Sequence, residues 1–183
     1  EEIGGNNIQI SKRAVTFEGD MKVLYRANLE LRTAIRVLVH FAQFKTKHEN
    51  HFYKKMREID WGKFLTLHDT FAIDGVTNSK YITHSKYLAL KAKDAIVDQF
   101  RDNTGRRPNV NTYDPTLRIN IFLSHENKCH ISFDSSGDAL HKRGYRVESQ
   151  EAPINEVLGA GMILMSGYKG ETDFIDPMCG SGT

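Results

Sequence analysis

The chain is poor in cysteine, in net charge and in long apolar runs. Its 183 residues hold only two cysteines, Cys129 and Cys179. Two thiols so far apart argue against a disulfide framework or a cysteine-built zinc site, and they fit a reducing cytoplasm. The formal net charge is +2, so overall charge makes no case for a polyanion partner, and local clusters must carry any such case. No apolar stretch approaches the roughly 20 residues that cross a bilayer, and no basic-then-apolar leader is present. Repeats and low-complexity tracts are missing too. What remains is a globular composition, 39% hydrophobic and 26% charged, enough for one large domain or two small ones.

The histidines do not make a metal site. His48 and His51 lie three apart on an expected helix, but no carboxylate recurs at ligand spacing. Cys129 and His130 are neighbours on an expected strand and so point to opposite faces. No metal is expected.

In chain order, Ile8 and Ile10, then Val15 and Phe17, alternate with polar residues and predict two short strands around a turn. Asp20 is placed to cap a helix over 21–33, with Leu24, Ala27, Asn28, Leu31 and Ile35 at helical spacing. From Arg36 to Phe44 the period shortens toward two, predicting a strand with Val37, Val39 and Phe41 on one face and Leu38 on the other. A second helix is expected over 49–60, with Phe52, Met56 and Ile59 as its stripe. A turn at Trp61 and a strand over 70–76 follow. The clearest helix runs over 84–100, burying Leu88, Ala92, Ala95, Ile96 and Phe100, with Gly105 beyond its end. Strands over 117–123 and 129–134 form a hairpin. Pro153 opens a last helix, with Ile154, Val157, Leu158 and Ile163 as its core positions, and a final strand follows Gly170. The order of elements predicts an α/β (α+β) layered fold.

Three basic stretches carry the case for a nucleic acid. Lys86 and Lys93, seven apart on the long helix, project on one side, and Lys80 lies just before them. These lysines suit phosphate or a merely solvated face. Arg106 and Arg107 sit in a loop beside Pro108. His141, Lys142, Arg143, Tyr145 and Arg146 combine cations with an aromatic ring, a composition suited to phosphate contact and base stacking. The competing reading makes this last run a linker, with Arg143 and Arg146 paired to Asp134 or Asp138.

The chain closes on DFIDPMCGSGT. A short apolar stretch runs into a glycine turn, the opening of a strand-turn-helix unit in which glycines let a ligand approach the main chain. The string DPMCGSGT resembles the first motif of S-adenosylmethionine-dependent methyltransferases that modify exocyclic amino groups of nucleic-acid bases. The resemblance implies that Asp176, Pro177, Cys179, Gly180, Gly182 and Thr183 lie along the cofactor. It is joined by FEGDMKVLYRANLELRTAIRVL, KYLALKAKDAIVDQFRDNTGRRPNV, ISFDSSGDALHKRGYR and APINEVLGAGMI, in that order. Together these stretches resemble the THUMP-containing RNA guanine-N2 methyltransferases, close to the bacterial enzymes acting on large-subunit ribosomal RNA.

The resemblance implies a partial ferredoxin-like segment over 1–45, a THUMP RNA-binding domain over 46–140 and a linker with its helix over 141–172. A Rossmann-like methyltransferase domain would start at 173–183. In that family an Asn-Pro-Pro-aromatic tetrapeptide holding the target amino group follows later, so the chain is expected to be a piece cut at both ends, able to bind structured RNA (ribosomal, or transfer) but not to catalyse. Two further readings stay open: an adenine-N6 methylase of DNA or RNA, and a pure RNA-binding module.

Overall fold

The computed structural model describes residues 2–11, 13–144 and 154–177. They divide into two units. One is Leu38–Asp134; the other is Glu1–Val37 together with Ser135–Thr183, so the first is inserted in sequence into the second. The whole is a mixed α/β protein.

The flanking unit opens with an antiparallel pair, β1 (Asn6–Ile10) and β2 (Val15–Glu18). Helix α1 (Met21–Glu30) follows. Its start is set as expected: the Asp20 carboxylate accepts from the Val23 N–H at 2.9 Å. Gly19 is required there, because a Cβ at that position would stand 2.6 Å from the Val23 side chain. Val23 and Ala27 are buried. The helix stops at Glu30, short of the expected Thr33, because Leu31 turns extended.

Residues beyond the insertion return to the exit of α1. The Ser135 hydroxyl donates to the Val37 carbonyl at 2.8 Å, and the Val37 N–H donates to the Ser136 hydroxyl at 2.7 Å. The Leu140 N–H reaches the Ile35 carbonyl at 2.8 Å. The Arg143 guanidinium donates to the carbonyls of Leu29, Leu31 and Asn28 at 2.8, 2.9 and 3.1 Å. The last carbonyls of a helix lack internal partners and carry the negative end of its dipole, so a guanidinium there satisfies both at once. Arg143 thus pairs with main chain, and not with Asp134 or Asp138 as the linker reading had it.

Two expectations fail in this unit. The last helix, α4 (Glu156–Ser166), is capped by Asn155 and ends at Gly167 with φ +74, but none of its residues is buried. Ile154, Leu158 and Ile163, expected in a core, are 57%, 59% and 42% exposed. The helix is apolar on nearly every side, so periodicity alone could not select an inward face. Pro153 lies outside the described residues. The final strand is not formed either: residues 173–176 are irregular, with no neighbouring strand among the described residues to satisfy their backbone groups.

The inserted unit is a five-stranded mixed sheet in the order β3-β7-β6-β4-β5. Its elements are β3 (Leu38–Lys45), α2 (Glu49–Glu58), a single 3-10 turn (Trp61–Lys63), β4 (Thr70–Thr77), α3 (Ser85–Thr104), β5 (Asn109–Val110), β6 (Leu117–Leu123) and β7 (Lys128–Asp134). Strand β3, expected to complete the N-terminal segment, is instead antiparallel to β7. A register shift between His40 and Ala42 makes Phe41 an extra residue, which breaks the expected alternation of Val37, Val39 and Phe41. β4 runs parallel to β5 and β6, with α3 as the crossover.

Both helices contribute to one core. Phe52 and Met56 of α2, and Leu88, Ala92, Ala95, Ile96 and Phe100 of α3, are buried with Phe71, Ile119, Ile121, Cys129 and Ile131 of the sheet. Trp61 is fully buried, its indole N–H donating to the Met56 carbonyl at 2.8 Å. Gln99 closes the C-terminal end of α2: its amide donates to the Arg57 and Ile59 carbonyls at 2.7 and 2.6 Å and accepts from the Trp61 N–H at 3.1 Å. α3 crosses β4 at Gly75, where a Cβ would lie 2.8 Å from the Ser85 carbonyl oxygen.

Trp61→Ala should destabilise the inserted unit by about 3–5 kcal/mol, read in a urea melt followed by circular dichroism. Arg143→Ala should cost the flanking unit about 1.5–3 kcal/mol, the range for hydrogen bonds to a charged group. The transition reported by Trp61 fluorescence should stay where it was, and Lys142→Ala should shift neither. Burial pushes the Cys129 thiol up to about 12. The unfolded thiol ionises first, near pH 8.5, so stability should fall as pH rises beyond that value. Cys129→Ala should flatten the alkaline slope in melts taken between neutral and strongly basic pH.

Candidate nucleic-acid interface

β3, β4 and β6 all run in one direction and finish at one end of the sheet. The loops that leave them meet there. The Thr46 N–H donates to the Asn127 carbonyl at 2.9 Å, and the Asn78 N–H donates to the Leu123 carbonyl at 2.8 Å. The Ser79 hydroxyl donates to the Asn127 side-chain oxygen at 2.5 Å. Asn127 sits at φ +60, a left-handed value that asparagine tolerates well. One asparagine therefore joins the link into α2, the link into α3 and the turn between β6 and β7.

This end is rich in cations. Lys45 and Lys128 face one another across β3 and β7. Lys47 lies two residues past Lys45, while Lys80 and Lys86 flank the start of α3, both exposed. The nearby carboxylates are engaged: Glu49 accepts from the Tyr87 hydroxyl, and Glu126 lies 4.0 Å from His125. That bond to Glu49, followed by burial, raises the Tyr87 pKa and keeps the phenol a donor. α3 is preceded by His84 at the N-cap, which makes no side-chain capping bond, and has no acidic residue in its first turn. Its free N–H groups and positive dipole end add to the field of the lysines. The arrangement is suited to holding phosphate.

The three stretches singled out in the sequence separate. Lys80 and Lys86 belong to this end. Lys93, further along α3, is half-buried and paired to Asp94 at 2.7 Å. Asp98 takes the Tyr53 hydroxyl at 2.7 Å, and Lys91 stands 5.6 Å from the centre of the Tyr53 ring, a cation over an aromatic face. Arg106 and Arg107 are exposed beyond the C-terminus of α3, roughly 30 Å of helix away. His141 and Lys142 belong to the flanking unit, with Lys142 exposed and His141 half-buried. Arg143 is committed to α1; Tyr145 and Arg146 lie outside the described residues. Sequence reasoning missed Lys45, Lys47 and Lys128. The one signal they carried was a lysine at or next to the end of a strand.

Of the residues assigned to the cofactor, Asp176 and Pro177 are described and exposed, whereas Cys179, Gly180, Gly182 and Thr183 lie outside the described residues. Phe174 and Ile175 before them are 55% and 84% exposed. Among the described residues no strand flanks 173–177, so these five residues alone outline no cofactor pocket. Among the described residues no group of three or more His, Cys, Asp or Glu stands close enough to hold a metal. No helix among them is long and apolar enough to cross a membrane.

Comparison with known proteins follows the same order along the chain. Residues 1–38 match the RlmL ferredoxin-like domain, 46–134 the THUMP domain, and 143–183 the RMKL-like methyltransferase domain. The ribosomal RNA large subunit methyltransferase K/L of Buchnera aphidicola is 41% identical over 181 residues, which are 99% of this chain and 26% of that protein. Two solved structures match over 99% of the chain. One, from Listeria monocytogenes, is described as a predicted N6-adenine-specific DNA methylase (28% identity, TM-score 0.82, 47% of that chain). The other is SMU.472, a methyltransferase by description, solved in complex with SAH (27% identity, TM-score 0.81, 48% of that chain). The chain thus spans between a quarter and a half of the length of these relatives. It carries, in this order, stretches of an RlmL-type ferredoxin-like domain, a THUMP domain and an RMKL-like methyltransferase domain.

Proposed function

We propose that the chain is the RNA-gripping part of an S-adenosylmethionine-dependent methyltransferase that modifies the exocyclic N2 of a guanine in ribosomal RNA. The observation that carries the reading is the cluster of Lys45, Lys47, Lys80, Lys86 and Lys128 at one end of a sheet whose strands after β3 lie in the stretch that matches the THUMP domain. The relative from Buchnera, named for large-subunit ribosomal RNA, supports that RNA as substrate, and the SAH complex of SMU.472 supports the cofactor. In this reading residues 1–37 and 135–172 carry the grip, residues 38–134 are the grip itself, and 173–183 begin the cofactor domain. Asp176, Pro177, Cys179, Gly180, Gly182 and Thr183 would hold the cofactor there. The site of action is the cytoplasm, where ribosomal RNA is reached.

The chemistry explains why a grip is needed. The lone pair of an exocyclic guanine nitrogen is delocalised into the ring, so the nitrogen is a poor nucleophile. Catalysis must come mainly from holding it in line with the methyl group, after the base has left its stack. S-adenosylmethionine supplies that methyl on a sulfonium. Phosphate contacts from lysines fix register without reading sequence, which is the task of a module separate from the pocket. The DNA adenine methylase reading shares the terminal motif and the Listeria likeness, but gives the THUMP match no role.

The double variant Lys80→Glu, Lys86→Glu should weaken binding of a structured ribosomal RNA fragment at least tenfold. It should also flatten the plot of log K against log salt by about 0.7–0.9 for each phosphate no longer neutralised. Unchanged affinity and slope in an anisotropy titration would remove this interface. Equal preference for duplex DNA would favour the adenine methylase. The 183-residue chain alone is inactive in this reading, so calorimetry should detect no saturation by micromolar S-adenosylmethionine; clear saturation would overturn that part.

A further inference from the structure

The face of the inserted unit's sheet that points away from α2 and α3 carries rings where solvent-facing residues are usually polar. Strand alternation puts Ala72, Asp74 and Val76 of β4 on this face, with Arg118, Asn120 and Phe122 of β6. The register continues it through Lys128, His130 and Ser132 of β7 to His40, Gln43 and Lys45 of β3. Phe122 lies directly across from His130, with ring centroids 6.2 Å apart and planes 32° apart. His130 and His40 follow at 5.5 Å and 48°. Three rings from three adjacent strands therefore form a row across the open face. The bulge at Phe41 makes the row possible, because it brings both His40 and Gln43 to the same side of β3.

Exposed rings and a charge imbalance meet here. Phe122 is 37% exposed and Val76, beside it on β4, is 49% exposed. Lys45 and Lys128 stand directly opposite one another one step along the strands, and like charges so placed are unfavourable. Neither has a carboxylate partner among the described residues. Burial, and then the charges of Lys128 and His40, lower the His130 pKa, so its ring is held neutral and available for stacking. Arg118, by contrast, is engaged by Asp74 and by the Thr112 and Tyr113 carbonyls. The open face thus presents the rings of Phe122, His130 and His40, the amides of Gln43 and Asn120, and a pair of lysines short of negative charge.

We propose that the row His40, His130 and Phe122 is a stacking surface for unpaired bases of a single-stranded RNA segment, with Lys45 and Lys128 receiving its phosphates. The inference deepens the RNA reading above and rests on it, but extends the contact onto an adjoining surface that shares Lys45 and Lys128 with the sheet end. A protein surface would cover the rings equally well, yet it would leave the facing lysines without the repeating negative charge that a nucleic-acid strand supplies. A flat sheet with aromatic residues on adjacent strands is a physically suitable support for splayed bases, each ring offering a π-face to any base. The lysine cluster at the sheet's end would hold folded RNA while the open face takes the unpaired strand leaving it.

The test uses the whole 183-residue chain and a short single-stranded RNA carrying 2-aminopurine, whose fluorescence is quenched on stacking. Wild type should bind and quench. Phe122→Ala should bind roughly tenfold more weakly with the quench abolished, while Phe122→Tyr retains both. Lys45→Glu should flatten the salt dependence. A fully paired RNA hairpin should bind wild type and Phe122→Ala alike. The proposal is overturned if Phe122→Ala binds and quenches the single strand as wild type does. It is also overturned if that variant leaves RNA binding intact and instead weakens association with the rest of the longer protein, which would make the occupant a protein surface. If Lys80→Glu, Lys86→Glu has no effect on structured RNA while Phe122→Ala abolishes the quench, the sheet-end interface fails and the open face stands. If wild type binds neither RNA, both fall.

Discussion

Helix α3 can lie against the sheet where it does because residue 75 has no side chain. Any Cβ there would collide with the Ser85 carbonyl, which belongs to the helix backbone and cannot swing aside. The close crossing sets the depth of α3, and with it the burial of Leu88, Ala92, Ala95 and Ile96. It also fixes where the helix begins. The loop from β4 to α3 is then short enough for Asn78 and Ser79 to reach the β6–β7 turn, and Lys80 and Lys86 are delivered to the end where Lys45 and Lys128 already stand.

A half-buried amide in the inserted unit is arranged to the same end. Gln99 gives α2 its missing C-terminal donors and takes the Trp61 N–H, so two helices and a tight turn are locked through one amide. On the outer face, by contrast, His40, Gln43, Val76 and Phe122 are exposed. A sheet packed on one side only is a stable platform with one side free for recognition.

Much of this architecture is legible in the residues. The long helix was set by Leu88, Ala92, Ala95, Ile96 and Phe100 at helical spacing, and all are buried. The Asp20 cap and the β6–β7 hairpin follow from local chemistry as well. What local pattern could not show is partnership across distance. Residues 38–45 look like the end of the first segment, yet their partner strand lies some ninety residues on. The bulge at Phe41 follows from a phenylalanine that stacks on Phe133 at 4.0 Å, a tertiary preference overriding alternation. Arg143 looked like one cation in a basic run, and its ligands are carbonyls more than a hundred residues earlier. The cofactor turn was read from a short string of residues, and the described structure ends before its glycines.

The insertion of one unit within another has a consequence for biosynthesis. The first half of the flanking unit emerges early from the ribosome, but Ser135, Ser136 and Arg143, which fasten the exit of α1, emerge roughly a hundred residues later. At about 5–20 residues per second that is a wait on the order of 5–20 seconds. The inserted unit is complete in sequence once β7 is free, before those fasteners emerge. Its formation brings Val37 and Ser135 to adjacent strand ends and so lowers the entropy cost of joining the two halves of the outer unit.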